Sequence, residues 1–403
     1  MADPAARLHR LVADAEDELV DTRRRLHRNP EVAHEERATA ELAAARAEQL
    51  GYAVRTEVGG TGVVADLEGA GAGPTVMLRA DMDALPISER GGDGRPAISE
   101  RNGAMHACGH DGHVAMALVA ARALAESRDA WSGRVRLCFQ PAEEIAGGAQ
   151  PMIDDGAMAD VDAVFGIHLW SPLQVGRVAV TAGTLFGSAD AWEVVVRGRG
   201  GHGGMPHTAV DPLPAAASLV TALQTIVSRE TSPFAPAVVT VGRIEGGQAF
   251  NVIAEEVRML GTVRAVVAEE RERVIARIEE IAVAIARAHR CEATFERGSG
   301  CPPVVSDTAM AEVVRAAARA TVGEQNVDMA SPITVGDDVA LFLQQAPGCY
   351  FLVGAGDLSG GRVPAPHHHP EFDIDERCLP VGAETLARSA LAVLGGAGVP
   401  GRR

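Results

Sequence analysis

The 403-residue chain is poor in aromatic residues, in cysteine and in positive charge. Its six cysteines are thinly spread, which is typical of a reducing cytosol and not of a disulfide framework. The net charge of −17 argues against nucleic acid and anionic membranes as partners, because both need a basic surface. The sequence contains no uncharged apolar stretch of about 18 residues, so no membrane span is expected. The N-terminal residues lack the pattern of a secretory signal, and a cytoplasmic protein is expected.

The length and the order of apolar patterns predict an α/β protein with two domains. Strand-like and helix-like segments alternate before residue 185 and after residue 300, beginning with one amphipathic helix over 5–28. Between them the order becomes β-α-β-β-α-β, which is the ferredoxin-like unit. We therefore predict a catalytic domain of residues 1–185 and 301–403, with a mixed sheet, and an inserted domain of residues 186–300.

Possible metal ligands occur at strand ends and in loops that are far apart in the sequence. The carboxyl ends of parallel strands meet at one crevice, so these side chains can converge. Cysteine, histidine and glutamate are ligands for zinc and similar divalent ions. The set is larger than one tetrahedral ion needs and would serve two. Its members are Asp81 and Asp83, Cys108 and His110, Glu143 and Glu144, His168, and the histidines at 367–369.

The adjacent acids Glu143 and Glu144 follow the apolar run "LCFQP". Neighbouring side chains on a turn diverge, so one can bind a metal ion while the other acts as a general base. A solvated loop is the alternative for these acids. Likewise, His168 can be a hydrogen-bonded structural histidine, and Cys108 a buried thiol.

Two other patterns resemble a dinucleotide-binding motif and a cysteine–histidine nucleophile, and neither interpretation is supported. The stretch "GRGGHGG" (198–204) contains G-x-G-x-x-G, but no helix follows at once and no acid stands about 20 residues on, so a dinucleotide site is not indicated. In "MHACGHDGH" (105–113) a nucleophilic cysteine would need a spatially placed base, which sequence neighbours rarely supply. The chain has neither an HExxH motif nor a phosphate-binding GxxxxGK[ST] loop.

Six motifs in one order resemble the hippurate hydrolase branch of the metallo-aminoacylase/carboxypeptidase family. They are "RADMDALP", "MHACGHDGH", "QPAEE", "GIHLW", "GGHGGMPH" and "HHHPEFDID". This branch includes N-acyl-amino-acid amidohydrolases, N-acetyldiaminopimelate deacetylase and the plant indole-acetyl-amino-acid hydrolases. The resemblance covers nearly the whole chain. It implies a metallopeptidase-like α/β catalytic domain that carries the inserted ferredoxin-like domain as a lid.

The resemblance also implies a metal centre with a general base. Two divalent ions, zinc or manganese with cobalt or nickel as further options, would be bound by one set of five ligands. Glu143 would take a proton from a metal-bridging water and later pass it to the leaving amine. The implied ligands are Cys108, His110, Glu144, His168 and His368, the last because it stands two residues before the proline.

Further roles follow from the resemblance for residues outside the ligand set. His202 would stabilise the tetrahedral oxyanion, in cis or from a neighbouring subunit. Asn251 and Arg264 would bind the α-carboxylate of the substrate, for which the planar guanidinium is well suited. Asp81 or Asp111 would orient a ligand histidine.

These inferences together predict a cytoplasmic, metal-dependent amidohydrolase that cleaves small N-acyl amino acids or similar conjugates. A metallo-carboxypeptidase or dipeptidase is the alternative enzyme, and a non-catalytic metal- or conjugate-binding protein is the alternative outside enzymes. A homodimer or homotetramer formed through the inserted domain is expected. Asp337 stands where relatives often have glutamate, which leaves the details of the pocket open.

Overall fold

The computed structural model of the chain describes residues 4–91, 95–361 and 363–396. The α-helices are α1 (Pro4–Ala13), α2 (Glu16–Arg28), α3 (Arg37–Gln49), α4 (His110–Glu126), α5 (Ala149–Asp154), α6 (Pro212–Thr225), α7 (Ala268–Ala288), α8 (Thr308–Val322), α9 (Val339–Gln345) and α10 (Cys378–Leu394). The strands are β1 (Ala53–Val58), β2 (Gly62–Glu68), β3 (Thr75–Asp81), β4 (Arg134–Gln140), β5 (Ala163–Gln174), β6 (Val178–Ala179), β7 (Gly183–Phe186), β8 (Ala189–Arg197), β9 (Gly201–His202), β10 (Ala237–Gly246), β11 (Val252–Ile253), β12 (Glu256–Ala265), β13 (Glu292–Cys301), β14 (Val304–Ser306), β15 (Val327–Asp328) and β16 (Gly348–Gly356).

The chain divides into two compact units. Unit 1 comprises the chain up to Leu185, Val305–Ser331, and the part from Asp338 onward. Unit 2 comprises Phe186–Val304 and Pro332–Asp337. No helix in the described ranges is both long and apolar enough to span a lipid bilayer.

Unit 1 is built on an eight-stranded mixed sheet in the order β1-β2-β4-β3-β5-β16-β6-β15. The four central strands, β4, β3, β5 and β16, run parallel to one another, whereas β1 and β2 are antiparallel to their neighbours. Helices α4 and α10 pack on each other and on the central strands. The parallel strands place their carboxyl ends along one edge of the sheet, as expected from the sequence.

The central strands form because their sequences are continuous apolar runs, which suits a parallel sheet that is covered on both faces. Every residue of β3 and every residue of β16 is buried. Strand β5 is longer than the predicted segment 162–170, so His168 lies inside the strand, opposite Leu352 of β16. The sheet therefore fixes the backbone on both sides of His168.

The predicted helix over 5–28 is two helices, α1 and α2, separated at Asp14 and Ala15. Ala15 has φ −104° and ψ 11°, outside the helical range. Three acids, Glu16, Asp17 and Glu18, occupy the first turn of α2, where the helix dipole favours negative charge. The apolar stripe continues through the break, which is why the periodicity alone predicts one helix.

Unit 2 contains a four-stranded antiparallel sheet in the order β10-β12-β8-β13. Its strands and the helices α6 and α7 follow in the chain order β8-α6-β10-β12-α7-β13, and the apolar faces of both helices form one core with the sheet. This is the predicted ferredoxin-like βαββαβ unit, and the two-part α/β fold class is confirmed. Arg271 and Arg297 both bind the buried carboxylate of Asp190 on β8.

Candidate metal centre

The segment 105–113 passes from an extended loop into α4 at Gly109. Gly109 has φ 94°, a left-handed conformation that glycine adopts without the strain of a side chain. A β-carbon on Gly112, in the first turn of α4, would approach Leu169 Cδ1 of β5 to 2.6 Å. The two glycines thus allow α4 to begin against β5, and they place Cys108 and His110 beside that strand.

Cys108, His110 and His168 converge within unit 1 at the buried edge of the sheet. Their candidate ligand atoms all lie within 4.8 Å of one another, and all three residues are buried. Cys108 Sγ lies 3.5 Å from His168 Nε2. One thiol and two imidazoles therefore face a common point.

The acids after β4 face the same point from the other side. His110 Nε2 lies 3.8 Å from Glu143 Oε2 and 3.8 Å from Glu144 Oε1. The second carboxylate oxygen of Glu144 lies 3.2 Å from His368 Nε2. Cys108, Glu144 and His368 form a second group whose ligand atoms lie within 4.8 Å of one another. Glu144 thus joins the two groups.

Hydrogen bonds fix the orientation of the two buried histidine rings. His110 Nδ1 lies 2.9 Å from the backbone oxygen of Asp83, and His168 Nδ1 lies 2.6 Å from the backbone oxygen of Leu169. A carbonyl oxygen only accepts, so both rings carry their proton on Nδ1. This leaves the lone pair of each Nε2 directed at the cluster, which is the usual arrangement of a metal-binding histidine.

Several buried atoms at this point have no hydrogen-bond partner within the described residues. They are His110 Nε2, Glu144 Oε1 and Asp83 Oδ1. Buried polar atoms are nearly always bonded, so this cluster of unpaired atoms calls for a further group. A set of sulfur, nitrogen and carboxylate donors fits a divalent cation such as zinc.

The electrostatics of the cluster also favour a cation. Burial lowers the pKa of His110, but the carboxylates of Asp81, Asp83 and Glu144 outweigh it and raise that pKa to about 10. Burial lowers the pKa of His168 well below its ordinary value. At neutral pH this raised pKa puts a second proton on His110, at Nε2, and a bound cation would take the place of that proton at the same lone pair.

Asp81, the last residue of β3, contacts residues next to the cluster. Burial raises its pKa, but Arg79, His110 and His113 together lower it well below the ordinary value. Its two oxygens bond Arg79 at 2.5 Å and His113 Nδ1 at 2.6 Å, and it lies 3.8 Å from His110 Nε2. His113 Nε2 in turn accepts the backbone N–H of Leu169, next to His168. Asp81 therefore connects α4 to two strands.

Asp111 belongs to a different cluster. Its Oδ2 accepts from Arg23 Nε at 2.9 Å and lies 2.8 Å from His27 Nδ1. The ring of His110 instead bonds the backbone of Asp83. A backbone carbonyl has no side-chain signature, so sequence reasoning missed this contact, although Asp83 stands out as an acid directly after a buried strand.

The remaining predicted residues lie in unit 2, two of them at the short paired strands β9 and β11. His202 pairs with Val252 across β9 and β11, and its Nδ1 accepts the N–H of Gly204 at 2.9 Å. Asn251 precedes Val252, and its backbone oxygen accepts the N–H of Gly203. The structure therefore brings His202 and Asn251 together, and both are exposed.

Arg264 lies near the end of β12 and is partly buried. Burial lowers its pKa, and the charges of Cys301 and Asp190 offset only part of this effect. The carboxylate of Asp190 is already bound by Arg271 and Arg297. The guanidinium of Arg264 thus retains the capacity to bind an anion.

Known proteins resemble this chain over nearly its whole length. The sequence profile described as Peptidase family M20/M25/M40 matches residues 77–392. The chain is 40% identical to an N-acetyl-L-cysteine deacetylase of Bacillus subtilis, over 94% of this chain and 89% of that protein. It is 39% identical to an IAA-amino acid hydrolase ILR1-like 2 of Arabidopsis thaliana, over 94% and 85%. A solved Bacillus subtilis structure, described as a dinuclear metal binding peptidase from the M20 family, has a TM-score of 0.81 at 32% identity, covering 95% of this chain and 99% of that one.

Proposed function

Because the chain belongs to peptidase family M20/M25/M40, we propose that it is a metal-dependent amidohydrolase that cleaves N-acyl amino acids or similar small conjugates. Membership of this family confirms the resemblance indicated by the sequence motifs, and it makes the chain a hydrolase that acts on amide bonds. Its similarity to a deacetylase and to a conjugate hydrolase supports a small acyl-amino-acid substrate. The observation that carries the proposal is the buried cluster of sulfur, imidazole and carboxylate donors in unit 1.

Two divalent ions would be held by Cys108, His110, Glu144, His168 and His368. Glu144 belongs to two of the donor groups and would contribute its carboxylate to this site. Bound ions of this kind polarise a carbonyl oxygen and lower the pKa of a water molecule, which is the chemistry that they would supply. Zinc or manganese are the proposed metals, with cobalt or nickel as substitutes.

Glu143 is the proposed general base. Its carboxylate is 9% exposed and lies next to the cluster, at 3.8 Å from His110 Nε2, whereas Glu144 contacts His368. Both glutamates lie 3.8 Å from His110 Nε2, and Glu144 additionally contacts His368, an arrangement that suits one ligand beside one base. Glu143 would take a proton from the attacking water onto its carboxylate and then donate it to the nitrogen of the leaving amine.

Unit 2 would supply the groups that recognise the substrate. His202 accepts a hydrogen bond at Nδ1, so its neutral ring carries the proton on Nε2 and can donate it to a developing oxyanion. Arg264 would bind the substrate carboxylate through its planar guanidinium, with Asn251 as a second donor. We further propose that the protein acts in the cytoplasm as a homodimer or homotetramer formed through unit 2.

The test combines metal analysis with an activity panel on one preparation. We expect about two divalent ions per chain, loss of activity with chelator, and recovery with Zn²⁺, Mn²⁺ or Co²⁺. N-acetyl and N-benzoyl amino acids should be cleaved faster than dipeptides. Preferential cleavage of dipeptides would support a peptidase instead, and a metal-replete protein that is inert on the whole panel would support a binding protein. Activity that survives chelation but not alkylation of Cys108 would refute the metal mechanism.

A further inference from the structure

His367, the neighbour of the proposed ligand His368, is enclosed by aromatic rings. Its ring stacks on Trp170 at a centroid distance of 4.8 Å and an interplanar angle of 21°. Phe372 lies 4.8 Å away in a tilted arrangement, and His168 meets the ring edge-on at 5.3 Å. These contacts hold the His367 ring in one plane beside the candidate metal centre.

One ring nitrogen of His367 is fixed as a hydrogen-bond acceptor. The backbone N–H of Ser171, a buried residue of β5, donates to His367 Nε2 at 3.2 Å. A nitrogen that accepts a hydrogen bond carries no proton, so the ring proton is on Nδ1. Ser171 lies where the pairing of β5 with β16 shifts register, between the pairs Trp170–Gly354 and Gln174–Gly356, and its N–H bonds the His367 ring there.

The other nitrogen faces Cys108. His367 Nδ1 lies 3.7 Å from Cys108 Sγ, within the range of a hydrogen bond to sulfur. The next residue, His368, has φ 64°, and its Nε2 is directed at Glu144. The left-handed turn at His368 thus sends two adjacent imidazoles to two different proposed ligands.

We propose that His367 is a positioning residue for the metal ligand Cys108, holding its Nδ1–H against that sulfur. The inference rests on the proposed function, in which Cys108 binds a divalent ion. A donor aimed at a coordinating sulfur withdraws electron density from it and fixes its direction. Loss of such an outer contact typically costs 10–100-fold in metal affinity.

The test uses Co²⁺, whose sulfur-to-metal charge-transfer band reports directly on a bound cysteine. We expect the His367→Phe variant, which preserves an aromatic ring on Trp170 but has no donor, to bind Co²⁺ about 10–100-fold more weakly in competition with a chelator. Its charge-transfer band should move to longer wavelength, because the sulfur is more electron-rich. His367→Leu should behave alike, and His367→Asn, with an amide N–H near the Nδ1 position, should restore both properties in large part.

The matched control is His369→Phe. His369 is the third histidine of the run, and its Nδ1 accepts the backbone N–H of Glu371. This variant should bind Co²⁺ as the unaltered protein does, with the same band. If His367→Phe and His367→Leu both retain normal affinity and an unshifted band, the inference is overturned and the proposed function stands. If Co²⁺ protein shows no band that Cys108→Ser removes, then Cys108 is not a ligand, and both the proposed ligand set and this inference are overturned.

Discussion

Replacement of Arg23 by methionine should destabilise unit 1 by about 3–5 kcal/mol, the cost of leaving a buried charge without its partner. Arg23 lies on α2 and is fully buried, and it binds Asp111 at 2.9 Å, Asp373 at 2.9 Å and Glu376 at 3.3 Å. Of these three acids, Asp111 is the one that is buried, with 1% of its side chain exposed. The loss of its partner therefore accounts for most of the expected change in unfolding free energy. Asp373 and Glu376 have access to water and should each contribute no more than about 1 kcal/mol.

Arg24→Met is the matched control, because the two arginines are adjacent in the chain and share a carboxylate. Arg24 binds Glu376 at 2.6 Å, but its own side chain is 34% exposed. An exposed pair of this kind contributes about 0–1 kcal/mol. The two variants thus remove the same charge from the same helix and differ chiefly in burial.

The assay is urea unfolding of metal-free protein, followed by far-UV circular dichroism, so that metal binding adds nothing to the apparent stability. If the two units unfold separately, Arg23→Met should lower the midpoint of one transition only. A change in unfolding free energy no larger than that of Arg24→Met would refute the reasoning. It would mean that His27, which contacts the same Asp111 oxygen at 2.8 Å, compensates the buried carboxylate without help.

Three further predictions concern acid stability and catalysis. Burial raises the pKa of Asp111, but Arg23 and His27 outweigh this effect and hold that pKa well below its ordinary value. The ionised Asp111 carboxylate therefore stabilises the folded protein above about pH 4, and this stabilisation is lost on further acidification. The stability difference between the unaltered protein and Arg23→Met should therefore shrink below about pH 4 in urea titrations, and a constant difference would contradict this. Glu143→Gln should retain its metal in elemental analysis and lose at least about 10²-fold in kcat, and near-normal turnover would exclude Glu143 as the base. Arg264→Met should raise KM for acyl amino acids about 10-fold or more and leave KM for the matching acyl amides unchanged, so an equal change for both would argue against a carboxylate contact.

The βαββαβ unit and the convergence of distant ligands could both be predicted from the sequence, and one kind of signal predicts both. Both depend on apolar periodicity and on where polar residues interrupt it, and these are local properties of the chain. It fails at the break between α1 and α2, because the apolar stripe runs through Ala15 without interruption. Periodicity reports which face is buried, and it does not report where the backbone turns.

The orientation of the metal centre was beyond sequence reasoning for a different reason. The groups that fix the rings of His110 and His168 are backbone oxygens, which every residue has. The partner of His113 on α4 is Asp81, which lies on a distant strand. Such contacts are set by the register of neighbouring strands, and they become visible only once the sheet is assembled.

The insertion of unit 2 between β7 and β14 also determines the order in which the donors emerge during synthesis. Cys108, His110, Glu144 and His168 precede it, and His368 follows it about 200 residues after His168. At a translation rate of roughly 5–20 residues per second, the nascent chain exposes four donors for about 10–40 s before the fifth exists. During that interval a thiol and two imidazoles are available to any soft metal ion. A metal ion bound during that interval would lack the ligand that His368 is proposed to supply.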